Sequence, residues 1–129
     1  MIVITFSKKN HTKIGMLGIK ENTIMSNNFD VVRLTANDYE EAVDLMNFVF
    51  SQSSCPHIFE NALPKMCVAD DEHMSKFFAC RKNGRLKAIL GVFPMTTYIN
   101  DKKFIVSSIE NVATHRNERG SGMMRTLMT

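Results

Sequence analysis

The chain has 129 residues and a mass of 14.7 kDa, with 44% of residues hydrophobic and 22% charged, a size that fits one domain and an ordinary globular composition. No apolar run approaches the roughly 18 residues that cross a bilayer as a helix, so no membrane partner is expected. The net charge of +3 is spread over scattered Lys and Arg, which lacks the clustered basic face of a nucleic-acid binder and suits a small anionic ligand.

Cys55, Cys67 and Cys80 stand 12 and 13 residues apart. That is neither a disulfide framework nor a metal-binding pair, and it fits reduced thiols in a cytoplasmic protein. The opening MIVITFSKKN lacks the basic and long apolar regions of a secretion signal. Residues 1–28 are weakly patterned and read as an N-terminal extension, with Met25 as an alternative start. Regular patterning begins at Phe29, so residues 29–129 are taken as the domain.

DVVRLT at 30–35 is expected to form a short strand. In TANDYEEAVDLMNFVFSQ, apolar Tyr39, Ala42, Val43, Met46, Val49 and Phe50 recur every three or four residues, the stripe of one helix face. Thr35 with Asp38 three residues on resembles a capping box and places the helix start near residue 36. SCPHIFENALPKM reads as a second, short helix, entered at Pro56 and limited by Pro64. From Lys76 the period changes. KFFACRK is a compact strand, Asn83-Gly84 is a strong hairpin turn, and RLKAILGVFPMTTYI is a long strand in which Gly91 and Pro94 predict a bulge or an interrupted ladder. NDKK at 100–103 is another turn, FIVSSIENVAT a further strand, and a helix opens near residue 120. The order β-α-α-β-β-β-α describes an α/β (α+β) chain. Cys80 and the methionines at 123, 124 and 128 are assigned to the core, and His11, His57 and His73 show no ligand spacing, so no metal is expected.

The stretch VATHRNERGSGMMRTLM, residues 112–128, carries the chemistry. A helix N-terminus presents about four unpaired N–H groups and a partial positive charge, which together hold phosphates. Glycines at 120 and 122 would let a pyrophosphate approach the backbone, and Arg119 adds a cation. On residues alone the stretch is either an anion site or a plain turn and helix cap, because it completes neither a P-loop nor a dinucleotide fingerprint.

ENVATHRNERGSGMMRTLM, preceded by three strands and two helices, resembles the GCN5-related N-acetyltransferase (GNAT) superfamily, whose signature is Arg/Gln-x-x-Gly-x-Gly/Ala. Arg119, Gly120, Ser121, Gly122, Met123 and Met124 fill it, with Met124 in place of the usual small residue. VATH before and GMMRTLM after look like the branch of enhanced-intracellular-survival-type acetyltransferases. In that branch a proline and an aromatic usually stand where this chain has Arg116 and Glu118, which implies a more charged and less rigid loop. The resemblance covers roughly residues 29–128. It implies a mostly antiparallel sheet flanked by helices, of which this chain holds the N-terminal portion without the C-terminal strands.

The resemblance further implies that acetyl-CoA is the cosubstrate, its pantetheine arm paired with the backbone of Val112, Ala113 and Thr114 and its pyrophosphate held by the amides of residues 119–124. A primary amine on a small molecule or peptide would attack the thioester directly in a ternary complex. Glu110 lies two and four residues before Val112 and Thr114, so strand alternation puts all three on one face. Glu110 is a candidate general base, or else a strand glutamate that is solvated or paired. His115 is a weaker candidate proton shuttle, or a surface histidine. The competing reading is an inactive truncated module that binds CoA or forms a homodimer through the exposed edge of its last strand. A third, an unrelated nucleotide-phosphate binder, lacks the rest of its phosphate-binding parts.

Overall fold

A computed structural model describes residues 28–52 and 55–129, with the backbone of residues 2–5; Met25 and the rest of 6–27 lie outside the described residues. In chain order the elements are β1 Ile2–Thr5, β2 Asp30–Arg33, α1 Tyr39–Phe50, α2 Phe59–Ala62, α3 Asp71–Met74, β3 Phe77–Lys82, β4 Arg85–Ile99, β5 Lys102–Thr114 and α4 Met123–Leu127. Strands β2 to β5 form an antiparallel sheet in the order β5-β4-β3-β2, and β1 pairs antiparallel with Val106–Ile109 on the outer edge of β5. That stretch of the last strand's edge is therefore taken within the chain, contrary to the fully open edge expected from sequence.

The two hairpins turn on residues that tolerate positive φ. Asn83 and Gly84 sit at +51° and +73°, and Asn100 and Asp101 at +48° and +60°, the left-handed pair that matches strand twist in a two-residue loop. The second turn is thus tighter than the four residues expected, because Lys102 and Lys103 already pair with Ile99 and Tyr98.

Helix α1 covers one face of the sheet. Its Ala42, Val43, Leu45 and Met46 bury against Phe77, Ala79, Leu86, Ile89 and Ala113. On the opposite face, Met123 of α4 closes over Cys80 and Ala88. Burial pushes the Cys80 thiol up to about 11, and its Sγ donates to the Met123 carbonyl at 3.6 Å, so it acts as a core residue. Met128, assigned to the core with its neighbours, is 46% exposed, since it lies beyond the last turn of α4.

Other boundaries moved for identifiable reasons. Residues 36–38 form a 3-10 turn before α1, with the Asp38 carboxylate accepting from the Thr35 amide at 2.9 Å and hydroxyl at 3.0 Å. Helix α2 starts at Phe59 rather than Pro56, because Asn47 on α1 sets its first turn. The Asn47 Oδ1 accepts from the Phe59 amide at 2.8 Å, and its Nδ2 donates to Glu60 at 3.1 Å. Helix α3, absent from the expected order, is capped by Asp70, which accepts from the His73 amide at 2.7 Å. Pro94 sits in regular register opposite Ser107, beyond the Phe77–Gly91 end of β3, so its missing N–H breaks no ladder.

Arg81 on β3 ties the sheet to the start of α1. Its guanidinium donates to Asp38 at 2.8 Å, to Glu41 at 2.9 Å and to the Gly84 carbonyl at 3.0 Å. The second Glu41 oxygen accepts from the Leu86 amide at 3.0 Å. One cation thus fixes the helix, the strand and the first hairpin turn at a single point.

Gly91 faces the aromatic pair Phe77 and Phe93, whose centroids stand 5.5 Å apart edge to face. A Cβ there would overlap the Phe93 ring and come within 3.1 Å of Phe77. Phe93 is only half buried and can swing aside. Gly91→Ala is therefore expected to cost about 1–2 kcal/mol, measured as a lowered midpoint in urea with an unchanged slope.

Candidate functional site

The site begins at an irregularity in β5. Ile89 pairs with Ala113 and Gly91 with Glu110, so Leu90 is opposed by two residues, Asn111 and Val112. Asn111 takes a φ of +53°, as the extra residue of a bulge can. The sequence expectation of a bulge near Gly91 is met across the ladder, with the additional residue on β5.

This bulge overturns one sequence expectation. Cross-strand partners share a face and alternate along the strand. Glu110 pairs with Gly91 and Thr114 with Ala88, and those partners are an odd number apart, so Glu110 and Thr114 lie on opposite faces. Glu110 is on the α1 side with Ala113, whose side chain is buried. Thr114 is on the α4 side, and Val112 is 37% exposed. Simple alternation failed because it counts residues, and the bulge adds one.

Glu110 accepts a 2.7 Å hydrogen bond from the hydroxyl of Ser108, which is 1% exposed, and has no cationic partner among the described residues. His115 is held structurally. Its amide donates to the Lys87 carbonyl at 2.8 Å, its Nδ1 accepts from the Asn117 amide at 3.3 Å, and its ring stacks on Phe48 at 5.0 Å. Glu110 and His115 are not brought into contact.

Beyond His115 a 3-10 turn, Arg116–Glu118, leads to Gly120 at φ +80° and Gly122 at φ +87°, and Gly122 caps α4. Ser121 folds the loop back: its hydroxyl donates to the Glu118 carbonyl at 2.6 Å and its amide to the same oxygen at 3.3 Å. The amides of Gly120, Gly122, Met123 and Met124 donate to no protein acceptor among the described residues. A Cβ at Gly120 would meet nothing within 4 Å. These groups open on a cleft of about 490 Å³, lined by Thr114, Glu118 and residues 119–125. Arg119 and Arg125 have no carboxylate partner among the described residues. The cleft can therefore take an anion on bare amides with two free cations beside it.

Of the residues singled out from sequence, Thr114 and Arg119 to Met124 line this cleft. Val112 and Ala113 lie on the strand just before it. Met123 is itself buried and contributes its amide.

Glu118 in the cleft wall is anchored outside the loop. Its carboxylate accepts from Lys82 on β3 at 2.8 Å, an arrangement that sequence reasoning missed because the partners are far apart in the chain. The Lys82 hydrogen bond holds the Glu118 carboxyl below its ordinary value of 4.5, with help from the charges of Lys82, Lys87 and His115. A carboxyl depressed on folding adds stability above its unfolded value, and that contribution is lost as pH falls through the folded value. Thermal melts from pH 7 down to 3 should show a steeper decline below about pH 4.5 for the wild type than for Lys82→Met. Parallel curves would show that the pair does not anchor the loop.

Among the described residues, no group of three or more His, Cys, Asp or Glu is placed to hold a metal, and no helix is long and apolar enough to cross a membrane.

Comparison with known proteins gives the following. Residues 30–129 match the model of the acetyltransferase (GNAT) domain family. No curated protein matches the sequence significantly. Among solved structures, a GCN5-related N-acetyltransferase from Anabaena variabilis is similar with a TM-score of 0.62 and 14% identity, over 78% of this chain and 24% of that one. One from Kribbella flavida has a TM-score of 0.60 and 12% identity, over 79% and 25%. An aminoglycoside acetyltransferase from an uncultured soil metagenomic sample, in complex with trehalose, has a TM-score of 0.53 and 18% identity, over 78% and 65%. At these identities the likeness is one of fold. The chain spans about a quarter of the length of the first two.

Proposed function

Because the chain belongs to the acetyltransferase (GNAT) domain family, we propose that it carries the acetyl-donor site of an acyl-CoA N-acyltransferase that moves an acetyl group from acetyl-CoA to a primary amine. The observation that carries this reading is the row of amides at Gly120, Gly122, Met123 and Met124, without a protein acceptor among the described residues, opening on a cleft lined also by Arg119 and Arg125. A pyrophosphate needs such a set: several donors, little steric bulk and compensating charge.

The residues fit this cosubstrate. Gly120 faces open space, and the glycine backbone leaves room for phosphate oxygens at hydrogen-bond distance. Beyond the reach of β1, which ends its pairing at Ile109, residues 110–114 of β5 have no strand on their outer side among the described residues, so backbone groups of Val112, Ala113 and Thr114 are available to an extended arm carrying amides. When bound, acetyl-CoA supplies an activated thioester carbonyl. Backbone donors along this stretch would stabilise the charge that develops on its oxygen. Glu110 would accept a proton from the amine, with Ser108 fixing the carboxylate. His115, tied into the loop by its amide and ring, is assigned the lesser role of supporting the cleft. The acceptor would be a small-molecule or peptide amine, in a cytoplasmic protein without a metal.

A finer placement in the enhanced-intracellular-survival-type branch is supported by VATH and GMMRTLM around the signature. Isothermal titration with acetyl-CoA tests the central reading. Binding at micromolar concentrations is expected, and no heat at millimolar ligand would overturn it.

A further inference from the structure

Two costs meet at one residue of β5. Asn111 occupies the left-handed region at φ +53°, which a non-glycine residue enters only under local constraint, although Asn does so more readily than most. Its carboxamide Nδ2 is also shut away from solvent with no hydrogen-bond partner among the described residues. Buried polar groups are nearly always paired, and an orphaned donor forfeits the water it would have bonded. The bulge that creates both costs would be relieved by glycine, the residue usual at such positions. A strained backbone and an unpaired donor side by side are a known mark of a residue kept for binding.

The chemistry of the missing partner follows from the group. An Nδ2–H needs a lone pair. A protonated amine has none, so the acceptor substrate does not complete this site, whereas the carboxylate of Glu110, the preceding residue, is the group that suits an ammonium. A carbonyl oxygen does complete it. The residue stands on the part of β5 that has no outer strand among the described residues, just before Val112 to Thr114.

We infer that the Asn111 carboxamide donates a hydrogen bond to a carbonyl oxygen of the acyl-CoA arm, making Asn111 a donor-binding residue at the bulge. This rests on the acyl-CoA reading above. The carbonyl is either that of the thioester or that of a pantetheine amide, and coenzyme A, which has only the latter, separates them.

The experiment is calorimetric titration of the 129-residue chain with acetyl-CoA and with coenzyme A, for the wild type, Asn111→Gly and Asn111→Asp. Glycine removes the amide and the backbone constraint together, so that variant is expected to melt a few degrees higher and to bind acetyl-CoA about tenfold more weakly. Aspartate keeps the shape and the tolerance of positive φ while exchanging donor for acceptor, and is expected to weaken binding at least as much. Loss confined to acetyl-CoA places the bond on the thioester; equal loss for both ligands places it on a pantetheine amide. Wild-type binding with both variants unaffected would overturn the assignment of Asn111 alone. No binding by the wild type would overturn the acyl-CoA reading and this inference with it.

Discussion

Gly122→Asp is expected to weaken acetyl-CoA binding by 100-fold or more while leaving a folded protein. Gly122 sits at φ +87° as the cap of α4, a conformation Asp adopts at a cost of roughly 1 kcal/mol, so the change is survivable for the fold. Its carboxylate would stand among the amides of Gly120, Met123 and Met124, where phosphate oxygens are proposed to lie. Two like charges about 5 Å apart at an effective dielectric of 20 repel by roughly 3 kcal/mol, which corresponds to about two orders of magnitude in affinity. Gly122→Asn separates charge from bulk. It presents nearly the same shape without the charge and should lose far less. Raising salt should narrow the gap between the two variants. Equal binding by Gly122→Asp and wild type would remove the pyrophosphate from this cleft.

Arg81→Met should be the most damaging single change to the scaffold among those argued for this fold. The guanidinium is about three-quarters buried and bonds to Asp38, Glu41 and the Gly84 carbonyl. Its loss leaves two partly buried carboxylates facing each other without a cation, although Arg85 stands 3.7 Å from Glu41 and offers partial compensation. Breaking a fully buried pair costs about 3–5 kcal/mol. With the remaining exposure and Arg85 nearby, about 2 kcal/mol is expected, a fall in Tm of roughly 8 °C for a domain of this size. The double variant Arg81→Met with Glu41→Gln should recover part of the loss, because it removes one stranded charge. Additive losses would show that the network is not coupled.

Much of this architecture is legible in the sequence because its signals are local. The helical stripe of α1, the Asn83-Gly84 turn and the run 119–124 each state their geometry within a few residues. The α1–β3–β4 tie is not local: Arg81 meets Asp38 and Glu41 only after the sheet has formed. Helix α2 is likewise placed by Asn47 from outside its own segment, which no reading of Pro56 could supply. The cleft was legible as a motif, whereas the anchoring of Glu118 by Lys82 and the burial of Ser108 beside Glu110 depend on which strands become neighbours. Asn111 left only a faint trace, a polar amide where the alternation of β5 slips by one position.

That single slip has a consequence for comparing this chain with its relatives. One residue at the bulge changes the count along the strand and not the facing beyond it, so a chain lacking a counterpart to Asn111 would keep its equivalents of Glu110, Ala113 and Thr114 on the faces they occupy here, in an unbroken alternation. Any alignment of this strand that drifts by one position at 111 will match inward side chains of one protein with outward side chains of another.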